Sequence, residues 1–368
     1  MRMHQSQKLF LLLFIPCLIF LILYSKKSDP LISNFEADFI SSENCCLCIL
    51  QSLNTTLPAI LIDAELLKGI AEKSCKLRKR RIEIGVDVAH LEDKTILNDE
   101  RFNVTFFEND PATDFLRFRT KPTRITPKIA GTMKFGLLEV PDPEMFSEYW
   151  RRSRLIKCRN INMNRPLSAS VLPQRKSVAF LADVRDRLLQ FGMFSFLNGG
   201  TLLGWYRECG VIPHTSDMDI AVMAGDFNPA LIPFLQSNES DFKLSRILGE
   251  PRESFEVTVY KKNNTRVYID VFLMYSSDST SWVGGTAGNG SKFKYSYPVY
   301  DPYCAAELYG HLFWVTCRPA LMLKTEYGKD WAKDFPSSRY YWNKSHFNVK
   351  PNGRWKEEDM PRVYQIFE

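Results

Sequence analysis

The chain has 368 residues, 45% of them hydrophobic and 24% charged, which is apolar enough for two modest domains or one large one and too apolar for a disordered chain. Its formal charge of +6 is a weak bias at this length. It suits anionic substrates or a membrane surface, and with no recognised nucleic-acid module beside it we set nucleic acid aside as a partner.

The first element is an unbroken apolar run, Leu9 to Tyr24, with Arg2 and Lys8 before it and Lys26 and Lys27 after it. Its length falls between a signal-peptide core and a full membrane span. Small residues suited to signal cleavage do not follow it, since Leu23 and Tyr24 stand where they would be needed. The expectation is an uncleaved signal anchor (9–24) behind a short cytoplasmic tail (1–8). Asn54, Asn103, Asn238, Asn263, Asn289 and Asn343 each head an N-x-S/T triplet, an excess that argues for a luminal body. Nine cysteines, without zinc-type spacing, fit an oxidising compartment, although their pairing is not legible. Together these predict a single-pass type II membrane protein of the endoplasmic reticulum or Golgi.

Residues 25–55 read as a stem with little structure. From Leu57 the text AILIDAELLKGI is apolar enough for a strand or short helix, and KLRKRR at Lys76 to Arg81 reads as a solvated basic face rather than a processing site. Alternation around Ile82, Ile84, Val86 and Val88 predicts strands, so 56–150 is expected to be a small α/β accessory domain with no active site of its own. This N-terminal region is also where an oligomer contact would fall.

The clearest helix spans Gln174 to Phe191, with Val178, Leu181, Val184, Leu188 and Phe191 at helical steps and Gly192 as its stop. Phe194 to Leu197 then reads as a buried strand entering a turn at Gly199-Gly200. Thr201 is expected to cap a short helix, leaving glycine N–H groups near its positive end to meet a phosphate. After a loop, Asp217-Met218-Asp219 and Ile220 to Val222 read as a second strand. Its period of two puts both carboxylates on one side. Asp226 to Leu248 reads as a helical connection. Glu253 to Tyr260 and Arg266 to Leu273 alternate like strands; in the latter Val267, Ile269, Val271 and Leu273 share one face, and Asp270 lies on the other between Tyr268 and Phe272. VGGTAGNG at 283–290 reads as a linker loop, and the aromatic-rich remainder as core or groove wall.

Two carboxylates on one strand repel each other, and a divalent cation is the usual remedy. With Asp270 as a third acid, Asp217 and Asp219 could hold Mg²⁺ or Mn²⁺ against a diphosphate, and one of the three could take an acceptor proton. Asn198, Gly199, Gly200 and Thr201 are the expected substrate-binding turn, with Arg207 and His214 as candidate phosphate contacts. For His214, a loop histidine bonded to its surroundings is an equal alternative. Helix, Gly-Gly turn, Asp-x-Asp strand and later Asp-bearing strand is the layout of a nucleotidyltransferase-like mixed sheet flanked by helices, here expected over 174–368. The chemistry it supports is transfer of a phosphoryl-linked group from a nucleotide donor to a hydroxyl.

LNGGTLLGWYRECGVIPHTSDMDIAV resembles the signature of the fukutin and LicD group, nearer to the fukutin branch. FWVTCRP (313–319), TEYGKDW (325–331) and WNKSHFNVKPNGRW (342–355) extend the resemblance from about Ser177 to the C-terminus. The resemblance implies a CDP-alcohol donor, CDP-ribitol in fukutin-like enzymes and CDP-choline in LicD-like ones, a glycan or glycoprotein acceptor, and metal-binding acids at Asp217, Asp219 and Asp270. Two other readings compete with this one. A nucleotide-sugar glycosyltransferase would use the Asp-x-Asp pair under a sugar diphosphate, and a non-catalytic scaffold would keep the fold without the reaction.

Overall fold

The structure, a computed structural model, describes residues 46–367 apart from 54, 75–79, 93–98, 130–132, 166–169 and 263. The expected tail and anchor, and most of the stem, lie outside the described residues. Among those described, no helix is long and apolar enough to cross a membrane.

The end of the expected stem is ordered. Helix α1 (Cys46–Ser52) buries Cys46 and Leu50 completely, so the N-terminal core begins earlier than composition suggests. Strand β1 (Ala59–Leu61) and helix α2 (Ala64–Ala71) follow. Asp63 caps α2 by accepting the Leu66 N–H, and Arg80, near the end of the basic run, clamps the same carboxylate at 2.6 and 2.7 Å. Next come β2 (Ile82–Asp87), β3 (Phe102–Glu108), β4 (Phe115–Phe118), β5 (Arg124–Pro127), β6 (Met133–Phe135) and β7 (Leu138–Val140), which pair in the order β6-β7-β1-β2-β3-β4-β5. Helix α3 (Pro143–Arg151) covers them, its Phe146 packing with Leu61, Leu67, Ile84 and Phe118.

A short strand, β8 (Arg154–Leu155), carries the sheet into the second portion. One edge pairs with β5, and the other runs parallel to a strand at Cys304–Leu308. Helix α4 (Gln174–Gln190) forms as its periodicity predicts, followed by β9 (Phe196–Leu197), α5 (Gly199–Glu208) and β10 (Asp217–Met223). The expected helical connection is mostly absent. After the short α6 (Leu231–Gln236), residues Phe242–Glu250 form β11, which buries Leu244, Ile247 and Leu248. It pairs with β12 (Glu253–Lys261) and with a strand near the C-terminus, and this cross-strand pairing overrides the local pattern.

The expected linker at 283–290 is also strand and turn. After β13 (Asn264–Ser276), β14 (Thr280–Thr286) and β15 (Ser291–Pro298) form a hairpin. A Cβ on Gly284 would lie 2.2 Å from Ser254 Oγ, and one on Gly285 would lie 2.9 Å from the Trp342 ring. The glycines therefore permit close approach of neighbouring segments rather than flexibility. Strands β16 (Cys304–Leu308) and β17 (His311–Val315), helix α7 (Pro319–Tyr327), strand β18 (Val349–Arg354), helix α8 (Met360–Val363) and strand β19 (Tyr364–Ile366) complete the chain. The second half of the sheet runs β8-β16-β17-β9-β10-β13-β12-β11-β19, while β14, β15 and β18 continue from the far end of β13. The result is a mixed α/β protein built on one large mixed sheet.

Strand parity separates the two faces of this sheet. Met218, Ile220, Val222, Ile269 and Val271 pack with Val178, Leu181 and Leu188 of α4. Ala221, Met274, Val283, Tyr295 and Tyr297 belong to another core, which also holds Phe115 and Ile125 of the N-terminal portion. Asp217, Asp219 and Asp270 have the parity of this second face. Disulfides join Cys158 to Cys209 and Cys304 to Cys317, pairings that spacing alone left open.

Candidate active site

Register brings the acids together. Strands β10 and β13 run parallel, with Asp219 opposite Asp270 and Asp217 opposite Tyr268. On its other edge β13 sets Asp270 against Thr258 of β12, and β12 sets Thr258 against Arg246 of β11. Asn198, just past β9, donates its N–H to the Asp219 carbonyl at 3.3 Å. A polar row thus crosses five segments of an otherwise apolar sheet: Asn198, Asp219, Asp270, Thr258, Arg246.

Asp270 is buried and engaged. Thr258 Oγ1 donates to it at 2.5 Å, and Arg246 Nη2 lies 3.2 Å from each carboxylate oxygen. Glu256, on the same face of β12, is 3.0 Å from the same guanidinium. Neither Arg246 nor Glu256 stands out in the sequence. The alternation of Glu256 and Thr258 held a signal, but it becomes readable only once β12 is known to lie against β13.

Asp217 and Asp219 each keep part of their surface exposed, so a ligand can reach them, although the Asp219 carboxyl is packed closely against the start of α5. Gly200 N–H donates to Asp219 Oδ2 at 3.0 Å, and a Cβ on Gly199 would lie 2.9 Å from the same oxygen. Gly199 also has φ +50°, so both the approach and the backbone conformation require glycine there. Thr201 does not cap α5 as expected. Helix α5 begins at Gly199, two residues earlier, with Asn198 at the N-cap, and Thr201 Oγ1 instead accepts the Asp219 N–H at 2.6 Å. The Gly-Gly pair is therefore the first turn of a helix, and its N-terminus faces a carboxylate. Asn198 is buried, and its Oδ1 has no partner among the described residues. Thr215 Oγ1 donates to Asp217 Oδ1 at 3.1 Å.

The two loop cations expected near phosphate are placed elsewhere. Arg207 is buried and donates to Glu208 at 2.6 Å and to the Lys333 carbonyl at 3.0 Å, so it braces the chain ahead of β10. His214 bonds to Ser337 Oγ at 2.7 Å and to Asp334 at 3.2 Å, which is the bonded loop histidine of the alternative reading. Hydrogen bonds from Arg165 and, against some burial, from His214 hold the Asp334 carboxyl well below the usual carboxylate range.

Negative charge is in excess on this face. Burial pushes the Asp219 carboxyl well above its ordinary range, with Asp217, Asp270 and Glu326 adding to the shift and the Gly200 N–H opposing it. Burial also raises Asp270, against Arg246 and Thr258. It raises Glu256 to about 8, with Asp270 adding and Arg246 opposing. Among the described residues, Arg246 is the Arg or Lys bonded to any of these acids. No three His, Cys, Asp or Glu side chains among them gather tightly enough to form a ready ligand set. Asp217 and Asp219 fit a divalent cation by donor chemistry, since Mg²⁺ is commonly held by one or two carboxylates with substrate phosphates and water completing the shell.

Paired acid-bearing strands beside a helix that starts on glycines are the arrangement expected of a nucleotidyltransferase-type domain. Comparison with known proteins agrees. The LicD/FKTN/FKRP nucleotidyltransferase domain matches residues 192–318, and the W02B3.4-like N-terminal domain matches residues 45–157. The Caenorhabditis elegans protein W02B3.4 is 46% identical over 345 residues, covering 92% of this chain and 89% of that protein. T07A5.1 of the same organism is 40% identical over 379 residues, covering 100% and 99%. The Mus musculus ribitol-5-phosphate transferase FKTN is 31% identical over 235 residues, covering 61% of this chain and 50% of that protein. The chain belongs to the W02B3.4-like family and is a fukutin-like member of the LicD/FKTN/FKRP group.

Proposed function

We propose that the chain is a transferase that moves an alcohol phosphate of the ribitol phosphate kind from a CDP-alcohol to a glycan hydroxyl, releasing CMP. The observation that carries this reading is Asp219 set opposite Asp270 in parallel strands, beside an accessible Asp217 and beneath the glycine start of α5. The name of the mouse relative supports the substrate class. In this reading Asp217 and Asp219 hold Mg²⁺ or Mn²⁺. When bound, such an ion neutralises the diphosphate and the leaving CMP oxygen. Gly199 and Gly200 keep the backbone close to the reacting phosphates, the Asn198 Oδ1 offers a buried acceptor to a donor hydroxyl, and Asp270 supports the metal pair from the neighbouring strand. The sequons fit a luminal setting in the endoplasmic reticulum or Golgi: Asn103, Asn238 and Asn289 are exposed. A membrane anchor and an oligomer through the N-terminal region belong to the same proposal.

The test is to incubate the purified full-length chain with a panel of CDP-alcohols and nucleotide sugars, with and without EDTA, and to identify the nucleotide released. CMP from a CDP-alcohol, abolished by EDTA and by Asp217→Asn or Asp219→Asn, is expected. Release of a nucleoside diphosphate from a sugar donor would overturn the proposal in favour of a glycosyltransferase. Full activity in both Asn variants would sink the metal-site assignment.

A further inference from the structure

The acid face of the sheet carries a second polar cluster that has no role in the transfer described so far. In β15, Tyr295 pairs with Val283, which pairs with Met274 of β13, four residues beyond Asp270. Parity therefore places Tyr295, and Tyr297 two residues on, on the same face as Asp219 and Asp270. Helix α7 and the segment 340–348 lie over these tyrosines. Glu326 of α7 is buried and accepts from Tyr297 Oη at 3.0 Å. Its other oxygen is 3.1 Å from His346 Nδ1, at ion-pair distance though off the ideal hydrogen-bond direction. Tyr295, Tyr327 and Tyr340 box the His346 ring, with centroids at 5.3, 5.3 and 4.8 Å. Helix α7 also packs against α5, whose first turn bonds Asp219 through the Gly200 N–H, so the cluster adjoins the acid pair.

The cluster is polar and incompletely paired. Asn348 is more than nine-tenths buried against Tyr297; its contact with that hydroxyl falls outside good hydrogen-bond geometry, and among the described residues neither polar atom of its amide has another partner. The buried Tyr340 Oη has no partner among the described residues either. Native proteins rarely leave such groups unpaired without a ligand or water to meet them. An amide offers a donor and an acceptor together, and that pairing matches a sugar hydroxyl, which is itself both.

We propose that this cluster is the acceptor subsite, in which His346, oriented by Glu326, takes the proton of the attacking glycan hydroxyl while Asn348 and Tyr340 hold neighbouring hydroxyls of that sugar. The inference rests on the transfer reading above. Asp270, one of the three acids that could take this proton, already has its oxygens engaged by Thr258 and Arg246. In the step, the acceptor oxygen bonds to the phosphorus that carries the alcohol. The bond from that phosphorus to the bridging oxygen of CMP breaks, CMP keeps the electron pair, and the proton passes to His346 Nε2. Glu326 favours the tautomer with its proton on Nδ1 and stabilises the imidazolium that forms. The titratable groups facing His346 are Glu326 and Tyr327 from α7, Tyr295 from β15 and Tyr340 from its own segment.

The test uses the full-length chain with CDP-ribitol as donor and a panel of methyl glycosides as acceptors, following both CMP and glycosyl product. His346→Gln should lower kcat by ~10²-fold or more, leave the donor KM within about threefold, and remove the acidic limb of the pH–kcat profile. Glu326→Gln should shift that limb with a smaller loss, and added imidazole should restore part of the activity of His346→Ala. A folded His346→Gln that keeps kcat within about threefold, with the limb in place, overturns the inference and leaves the transfer reading standing. Should the His346 variants not fold by circular dichroism, Glu326→Gln decides: an unmoved limb overturns the inference. Absence of CMP release by the unsubstituted chain, with metal present, overturns the transfer reading and this inference with it.

Discussion

Replacing Glu256 by Gln should stabilise this protein, and by more as the pH rises. Glu256 is buried beside Asp270 and shares Arg246 with it. Burial, with Asp270 adding and Arg246 opposing, raises its carboxyl from 4.5 to about 8. Between those values the native state holds a proton that the unfolded chain has released, so stability falls as pH rises through the window. At ~1.4 kcal/mol per unit the ceiling for one isolated acid is about 4 kcal/mol at the upper end, and because Asp270 draws on the same guanidinium we expect roughly 2–4 kcal/mol. Gln keeps the length and an oxygen for Arg246 but has no charge to bury. The assay is urea unfolding of both proteins in EDTA from about pH 5 to about pH 8. The gain should be near zero at the acid end and largest at the alkaline end, and Mg²⁺ should shrink it by neutralising the same face. A difference constant with pH, or a loss at the alkaline end, would refute the reasoning.

Other consequences concern the scaffold. Gly284→Ala places a Cβ 2.4 Å from the Ser254 backbone Cα, and it should cost about 2–3 kcal/mol by urea unfolding; an unchanged midpoint would show that the strands can part freely. Asp114 accepts from Arg185 at 3.0 Å, His311 at 2.9 Å and the Leu312 N–H at 2.8 Å, tying the N-terminal portion to α4 and β17. Although burial works against it, these partners hold its carboxyl below the ordinary value, so its contribution is present above the unfolded value and is lost as pH falls through the folded one. Asp114→Asn should therefore destabilise by about 1–3 kcal/mol at neutral pH, and the difference in thermal melts should close below about pH 4. Cys158 and Cys209 are 51 residues apart, so replacing both by Ser should cost about 2–4 kcal/mol, and an unchanged urea midpoint would contradict this.

Much of the candidate site was legible because it is local. Gly199-Gly200, Asp217 and Asp219 lie within one stretch, and a period of two is enough to align the two carboxylates. Asp270 was legible as the odd polar residue in an alternating strand. Arg246, Glu256, Glu326 and His346 were not, because nothing in their own segments separates a buried site residue from an ordinary surface charge. The 242–250 segment read as helix and the 283–290 segment as linker for the same reason. The partners that make the first a strand, and that crowd the glycines of the second, lie elsewhere in the chain.

By itself the sequence determined the periodic elements, the mixed α/β class and the acid pair, since these follow from side-chain spacing along a single segment. Only the tertiary structure decided which strands are neighbours. That choice set Asp270 opposite Asp219, brought Arg246 and Thr258 onto Asp270, and turned Arg207 and His214 into braces. Hydrogen-bond register and burial act between segments distant in sequence, and they determine whether a charge is buried, paired or available for chemistry.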